Sequence, residues 1–168
     1  HLPTRRQRQM CIRDRLLAGT LDETRDGPSV AQHLTSAMTG RGRPGASGPL
    51  DGAGRRSIYL EVRRNFLDPF QEVFDRPVPA TTAGQRRETS VPAQALTMMN
   101  DPFVHEQAKA FAARAQSLWL DPNERLREMV QLCFGRPPTS EEQAILEPLD
   151  TTDLAHILFN AKAFLYRN

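Results

Sequence analysis

The sequence predicts a mainly α domain, an irregular array of short helices joined by long loops, with one minor β element near residues 57–63. Three observations carry this. Asp-Pro pairs stand at Asp68-Pro69, Asp101-Pro102 and Asp121-Pro122, each followed by apolar residues at helical spacing. Asp accepts a hydrogen bond from an unpaired N–H of the first turn, and Pro at the first helical position gives up a donor that had no partner. Thr139 with Glu142 forms a capping box before a further helix. Only Ser57–Arg63 alternates, with Ile58, Leu60 and Val62 on one side and Tyr59, Glu61 and Arg63 on the other, which is the period of a half-buried strand.

In chain order, the first fifteen residues stand apart. Met10-Cys11-Ile12-Arg13-Asp14 reads as the translation of the transposon end used in sequencing libraries, so residues 1–15 are set aside as a non-native lead. The competing reading is a native helix start at Ile12–Ala18. Residues 1–15 hold five Arg and one Asp; of 22 basic and 20 acidic residues, 17 and 19 then remain, so the formal +2 becomes −2. The basic balance therefore gives no argument for nucleic acid or an anionic membrane. No apolar run is long enough to span a bilayer. With Cys11 excluded, Cys133 alone forms neither a disulfide nor a Cys-x-x-Cys pair.

Residues 16–54 read as a Gly/Pro-rich loop region, partly ordered, with Gly40, Gly42, Gly45, Gly48, Gly52 and Gly54 close together. A flexible linker is expected; the alternative is an ordered loop whose glycines permit close backbone approach. Residues 55–168 read as the helical domain. A partner for the strand is sought near Glu88–Ser90. Phe70, Val73 and Phe74 make a short face, and Pro92–Met99 a short helix. Val104, Ala108, Phe111, Ala112 and Ala115 make a long face; Leu126, Met129, Val130 and Cys133 make the next, ended by Gly135. Ala144 and Ile145 follow the capping box. Thr151 or Thr152 caps a last helix facing inward through Leu154, Ile157, Leu158, Ala161 and Leu165.

Several blocks then resemble one family. They are Gly48-Pro49-Leu50-Asp51-Gly52, Arg55-Arg56-Ser57-Ile58-Tyr59-Leu60, Val62-Arg63-Arg64-Asn65-Phe66, Val91-Pro92-Ala93-Gln94-Ala95-Leu96, Met99-Asn100-Asp101-Pro102-Phe103-Val104, Arg136-Pro137-Pro138-Thr139, and Asp153-Leu154-Ala155-His156 with Phe159-Asn160-Ala161-Lys162. Together, from about Leu21 to the last residue, they resemble the planctomycete-specific domain of unknown function number 1553. The resemblance implies the C-terminal part of a large exported, extracytoplasmic bacterial protein. It also implies upstream domains of the same polypeptide as partners, among them a cytochrome c-like module. Any haem belongs to those upstream domains, because no Cys-x-x-Cys-His occurs here. The family supplies no catalytic residues to carry over.

The strongest polar constellation is Arg55, Arg56, Arg63, Arg64 and Asn65, with Arg86 and Arg87 after it. A guanidinium fork suits carboxylate, sulfate or phosphate. The structural reading is that these arginines pair with Glu61, Asp68, Asp75 or Glu88. Asn100 reads as a turn residue and Asp101 as a cap. His105 and His156, with Asp153 one turn before the latter, fit no metal-ligand spacing, so no metal is expected. Cys133, Met98 and Met99 read as packing residues, and Tyr59 and Trp119 are too few for a stacking platform. Two functions stand open. One is a non-catalytic interaction or scaffold domain. The other is a hydrolase or lyase acting on anionic, sulfated polysaccharide through the arginine face.

Overall fold

The computed structural model describes residues 3–74, 76 and 91–165. Its helices are α1 (Pro3–Ala18), α2 (Pro69–Val73), α3 (Val91–Asn100), α4 (Pro102–Leu118), α5 (Pro122–Phe134), α6 (Ser140–Leu146), α7 (Thr151–Asn160) and α8 (Lys162–Leu165). The protein is mainly helical, as the sequence predicts. The chain divides into two compact units, His1–Ile12 with Leu21–Thr97, and Arg13–Thr20 with Met98–Asn168. Residues 55–97 fall in the same unit as residues 21–54.

In the Leu21–Thr97 unit the described residues before α2 are largely irregular backbone tied by individual hydrogen bonds. The strand expected over residues 57–63 is instead a 3-10 turn, Ser57–Tyr59. Tyr59 N–H reaches Arg56 O at 2.9 Å and Leu60 N–H reaches Ser57 O at 3.3 Å, while Tyr59 O accepts from Val30 N–H and Glu61 N–H donates to Val30 O, both at 2.8 Å. The β element shrinks to isolated parallel bridges, Asp22 with Arg55 and Val30 with Leu60. Ile58 and Val62, placed inward by the alternation, are about half exposed. The partner sought near Glu88–Ser90 lies outside the described residues.

Within residues 19–54 backbone approaches backbone closely at Gly48. Gly48 N–H donates to Gln32 O at 2.9 Å. A methyl on Gly48 would lie 1.8 Å from Ala31 O. Leu34 N–H donates to Ser47 Oγ at 2.8 Å. Phe66, Phe70 and Phe74 give this unit its apolar centre, with the last two rings 5.0 Å apart.

The Met98–Asn168 unit is built from matched helix faces. The predicted inward residues of α4 and α5 are all buried. Phe111, Phe159 and Phe164 stack in series at 5.6 and 5.2 Å between ring centres. The α7 face is corrected by a small rotation. Ala155 and Phe159 are buried beside Leu154 and Leu158, while Ile157 is exposed. Asp150, not Thr151 or Thr152, caps α7 through Asp153 N–H. In α6 the buried residue is Leu146, and Ile145 is exposed.

The end of α1 that belongs to this unit, Arg13–Ala18, is held by its own side chains and by α4. Arg13 donates to Phe164 O at 2.6 Å and to Cys133 O at 2.8 Å. Arg114 donates to Leu16 O and Leu17 O. Asp14, within the segment set aside as a lead, is fully buried, and neither carboxyl oxygen has a hydrogen-bond partner among the described residues. Burial pushes its pKa up to about 8, against the pull of Arg15 and Arg13.

Candidate functional site

The arginine constellation separates into residues that hold the fold and residues that do not. Arg55 belongs to the fold. Its Nη2 donates to Asp26 O at 2.7 Å and Thr24 O at 3.3 Å, and its guanidinium lies over the Tyr59 ring at 4.2 Å. Its Nε is 3.7 Å from Asp22 Oδ2, close enough for charge attraction and too long for a hydrogen bond. The Asp22 carboxyl is held below its usual range, chiefly by Thr24, with Arg55 contributing. The Arg55 guanidinium is thus engaged within its own unit. Tyr59 is likewise committed, and its hydroxyl accepts from Asp26 N–H at 3.2 Å.

Arg63 pairs with Glu61 at 2.8 Å, as its two-residue spacing allows. Arg56 is exposed and has no side-chain partner among the described residues. Arg64 and Asn65 are exposed, and their side chains likewise have no partner among the described residues. Together with Gly42, Arg63 and Phe66 they line a shallow pocket of about 230 Å³. The sequence between Arg63 and Pro69 shows why they stand out. A turn over Arg63–Phe66, closed by Phe66 N–H to Arg63 O at 3.1 Å, buries Phe66 and leaves Arg64 and Asn65 at its crest. Asp68 then caps α2 through Phe70 N–H. Gly42 has φ +85° and nothing within 4 Å of where a side chain would begin. Sequence reasoning missed Gly42; its only signal was the run Gly40-Arg41-Gly42-Arg43. Arg86 and Arg87 lie outside the described residues.

The other candidates fall elsewhere. Asn100 is the exposed last residue of α3, and Asp101 caps α4 through Phe103 N–H. His105 and His156 meet, with ring centres 4.3 Å apart. His156 Nε2 lies 3.2 Å from Met98 O, which also accepts from Asn160 Nδ2 at 3.4 Å. Met98 is fully buried, whereas Met99 is half exposed and does not pack as expected. Burial pushes the Cys133 thiol up to about 12, so it stays protonated and serves as core.

Ser47 and His33 also lie together, at 3.3 Å from Oγ to Nδ1. His33 Nδ1 is 3.1 Å from Gly48 O, an acceptor only, so Nδ1 carries the proton. Ser47 Oγ is then not activated by that nitrogen; it accepts from Leu34 N–H and donates to Gly48 O. Among the described residues no three His, Cys, Asp or Glu side chains gather as a metal set. No described helix is long and apolar enough to cross a membrane.

Among curated proteins and among solved structures nothing matches the chain. One family matches most of it, over residues 1–149, and its description is a protein of unknown function. The chain belongs to the PSD1 family, DUF1553.

Proposed function

We propose that this chain is an interaction domain that recognises an anionic group on a partner through Arg64 and Asn65. The observation that carries this is their position. Both line an open pocket, and neither spends its side-chain polar atoms on a described residue. A guanidinium delivers two parallel N–H···O bonds to a carboxylate or sulfate, and the Asn amide adds a donor beside it. Gly42 leaves the approach open. Among the described residues the lining carries no carboxylate, imidazole, hydroxyl or thiol. That favours holding a group over transforming it, since a hydrolase or lyase needs an acid–base group at the bound bond.

The ligand class that suits this pocket is a sulfated or carboxylated glycan. The family resemblance supports placing the domain in a larger exported bacterial protein, outside the cytoplasm, beside cytochrome c-like modules that carry any haem. The test is a titration of the chain with a sulfated oligosaccharide. A charge-assisted contact is worth about 1.5–3 kcal/mol. Arg64→Ala should therefore weaken binding about 10-fold or more, while Arg56→Ala, outside the pocket lining, changes it little. Unchanged affinity in Arg64→Ala would refute the assignment.

A further inference from the structure

We infer that His105 and His156 form a two-imidazole site for a borderline divalent cation such as Cu2+, Zn2+ or Ni2+. The two histidines belong to different helices, and no spacing rule joins them. The fold of the Met98–Asn168 unit brings their rings to 4.3 Å between centres, tilted by 36°. Two imidazoles bound side by side to one ion, at metal–N distances of about 2.0–2.1 Å, hold their centres on the order of 4.5–5 Å apart. The observed centre separation lies just below that range.

The hydrogen bonding of His156 supplies a second observation. A carbonyl only accepts, so Nε2 at 3.2 Å from Met98 O is the protonated nitrogen. Nδ1 is then the bare lone pair, and no described residue bonds it. Metal-binding histidines are oriented in this way, with one nitrogen donating to a carbonyl and the other facing the ion. The anchor is firm. Met98 is fully buried, and Asn160 Nδ2 bonds both Met98 O and His156 O. His105 is exposed, and neither of its ring nitrogens bonds a described residue. Its charged neighbours are Asp101, which caps α4, and Glu106 and Lys109 on α4; on α7, Asp153 lies one turn before His156. No further His, Cys, Asp or Glu completes a set among the described residues, so water fills the remaining positions. Open positions of that kind mark an exchangeable site, in contrast with a closed structural one. This inference is independent of the anion pocket, which lies in the other unit.

The test uses the full chain with His1→Ala and His33→Ala, which leaves this pair as the only histidines. Titrated with Cu2+ alone, it should bind one equivalent, with an electron paramagnetic resonance spectrum showing two coupled imidazole nitrogens. His105→Ala removes an exposed side chain and leaves the Met98 anchor intact. It should keep the fold by circular dichroism, weaken binding about 10-fold or more, and leave one coupled nitrogen. An absence of stoichiometric binding would overturn the proposal, making the pair a packing contact only. Unchanged affinity and spectrum in His105→Ala would do the same.

Discussion

From Met98 to Leu165 the chain closes by matching apolar faces, with α4 laid on α7 and three Phe rings in series. From Leu21 to Phe74 it closes by separate bonds between irregular segments, such as Gly48 to Gln32 and Arg55 to Asp26. The first kind of construction spreads its stability over many small contacts. The second concentrates it at a few positions where backbone must approach backbone. It also leaves polar side chains at loop crests, where a rigid frame can present them to a ligand. Substitutions should separate the two kinds of construction.

The largest effect is expected in the helical unit. Phe159→Ala removes the middle ring of the series, fully buried between Phe111 and Phe164. It should cost about 3–5 kcal/mol in denaturant unfolding and reduce amide protection within α4 and α7. Gly48→Ala is the counterpart in the irregular unit. Its methyl collides with Ala31 O, a backbone atom with no rotamer to yield, so a loss of about 2–3 kcal/mol is expected. Exchange should rise at the amides of residues 30–34 and 46–48 and stay unchanged in α4. Gly135→Ala sharpens the contrast. It meets open space and suffers only left-handed strain at φ +74°, so about 1–2 kcal/mol should be lost.

Asp14 gives the pH dependence its sign. Its folded pKa, about 8, lies above the ordinary 3.8, so the folded state holds the proton more tightly. Stability should fall as pH rises from about 4 to 8, and Asp14→Asn should flatten that slope. The gain at pH 7 should be on the order of 2 kcal/mol, because the buried amide still lacks partners. A slope unchanged in the variant would show that Asp14 is not its source. Glu142 acts in the opposite sense and more weakly. Its bonds from Arg136 hold its carboxyl near 2, so its contribution is complete above about 4.5 and is lost as pH falls toward 2. Both partners face solvent, and Glu142→Gln should cost no more than about 1 kcal/mol at neutral pH.

The contrast between units also explains what the sequence discloses. Each Asp-Pro pair caps its helix as read, Thr139 and Glu142 close their box, and Gly135 ends α5 in the left-handed region. These are local arrangements, complete within a few residues. The small rotation of α7 arises because Ile157 and Phe159 are both plausible inward residues until α4 presents Phe111. The irregular unit offers little of this kind. The alternation over residues 57–63 has the period of a strand, yet Val30 reaches it at one bridge only. Nothing local distinguishes Arg55, absorbed by carbonyls of residues 24 and 26, from Arg64, which stays outside. The pocket needs Gly42, and the imidazole pair needs α4 against α7; both are consequences of tertiary closure.

The most direct test of anion recognition is side-chain NMR of the chain during titration with a sulfated oligosaccharide. Shifts are expected at Arg64 Nε–H and the Asn65 side-chain amide, with Arg55 Nε–H unmoved because its guanidinium already serves the fold. Shifts centred on Arg55, or none at Arg64 and Asn65 at saturating ligand, would contradict it.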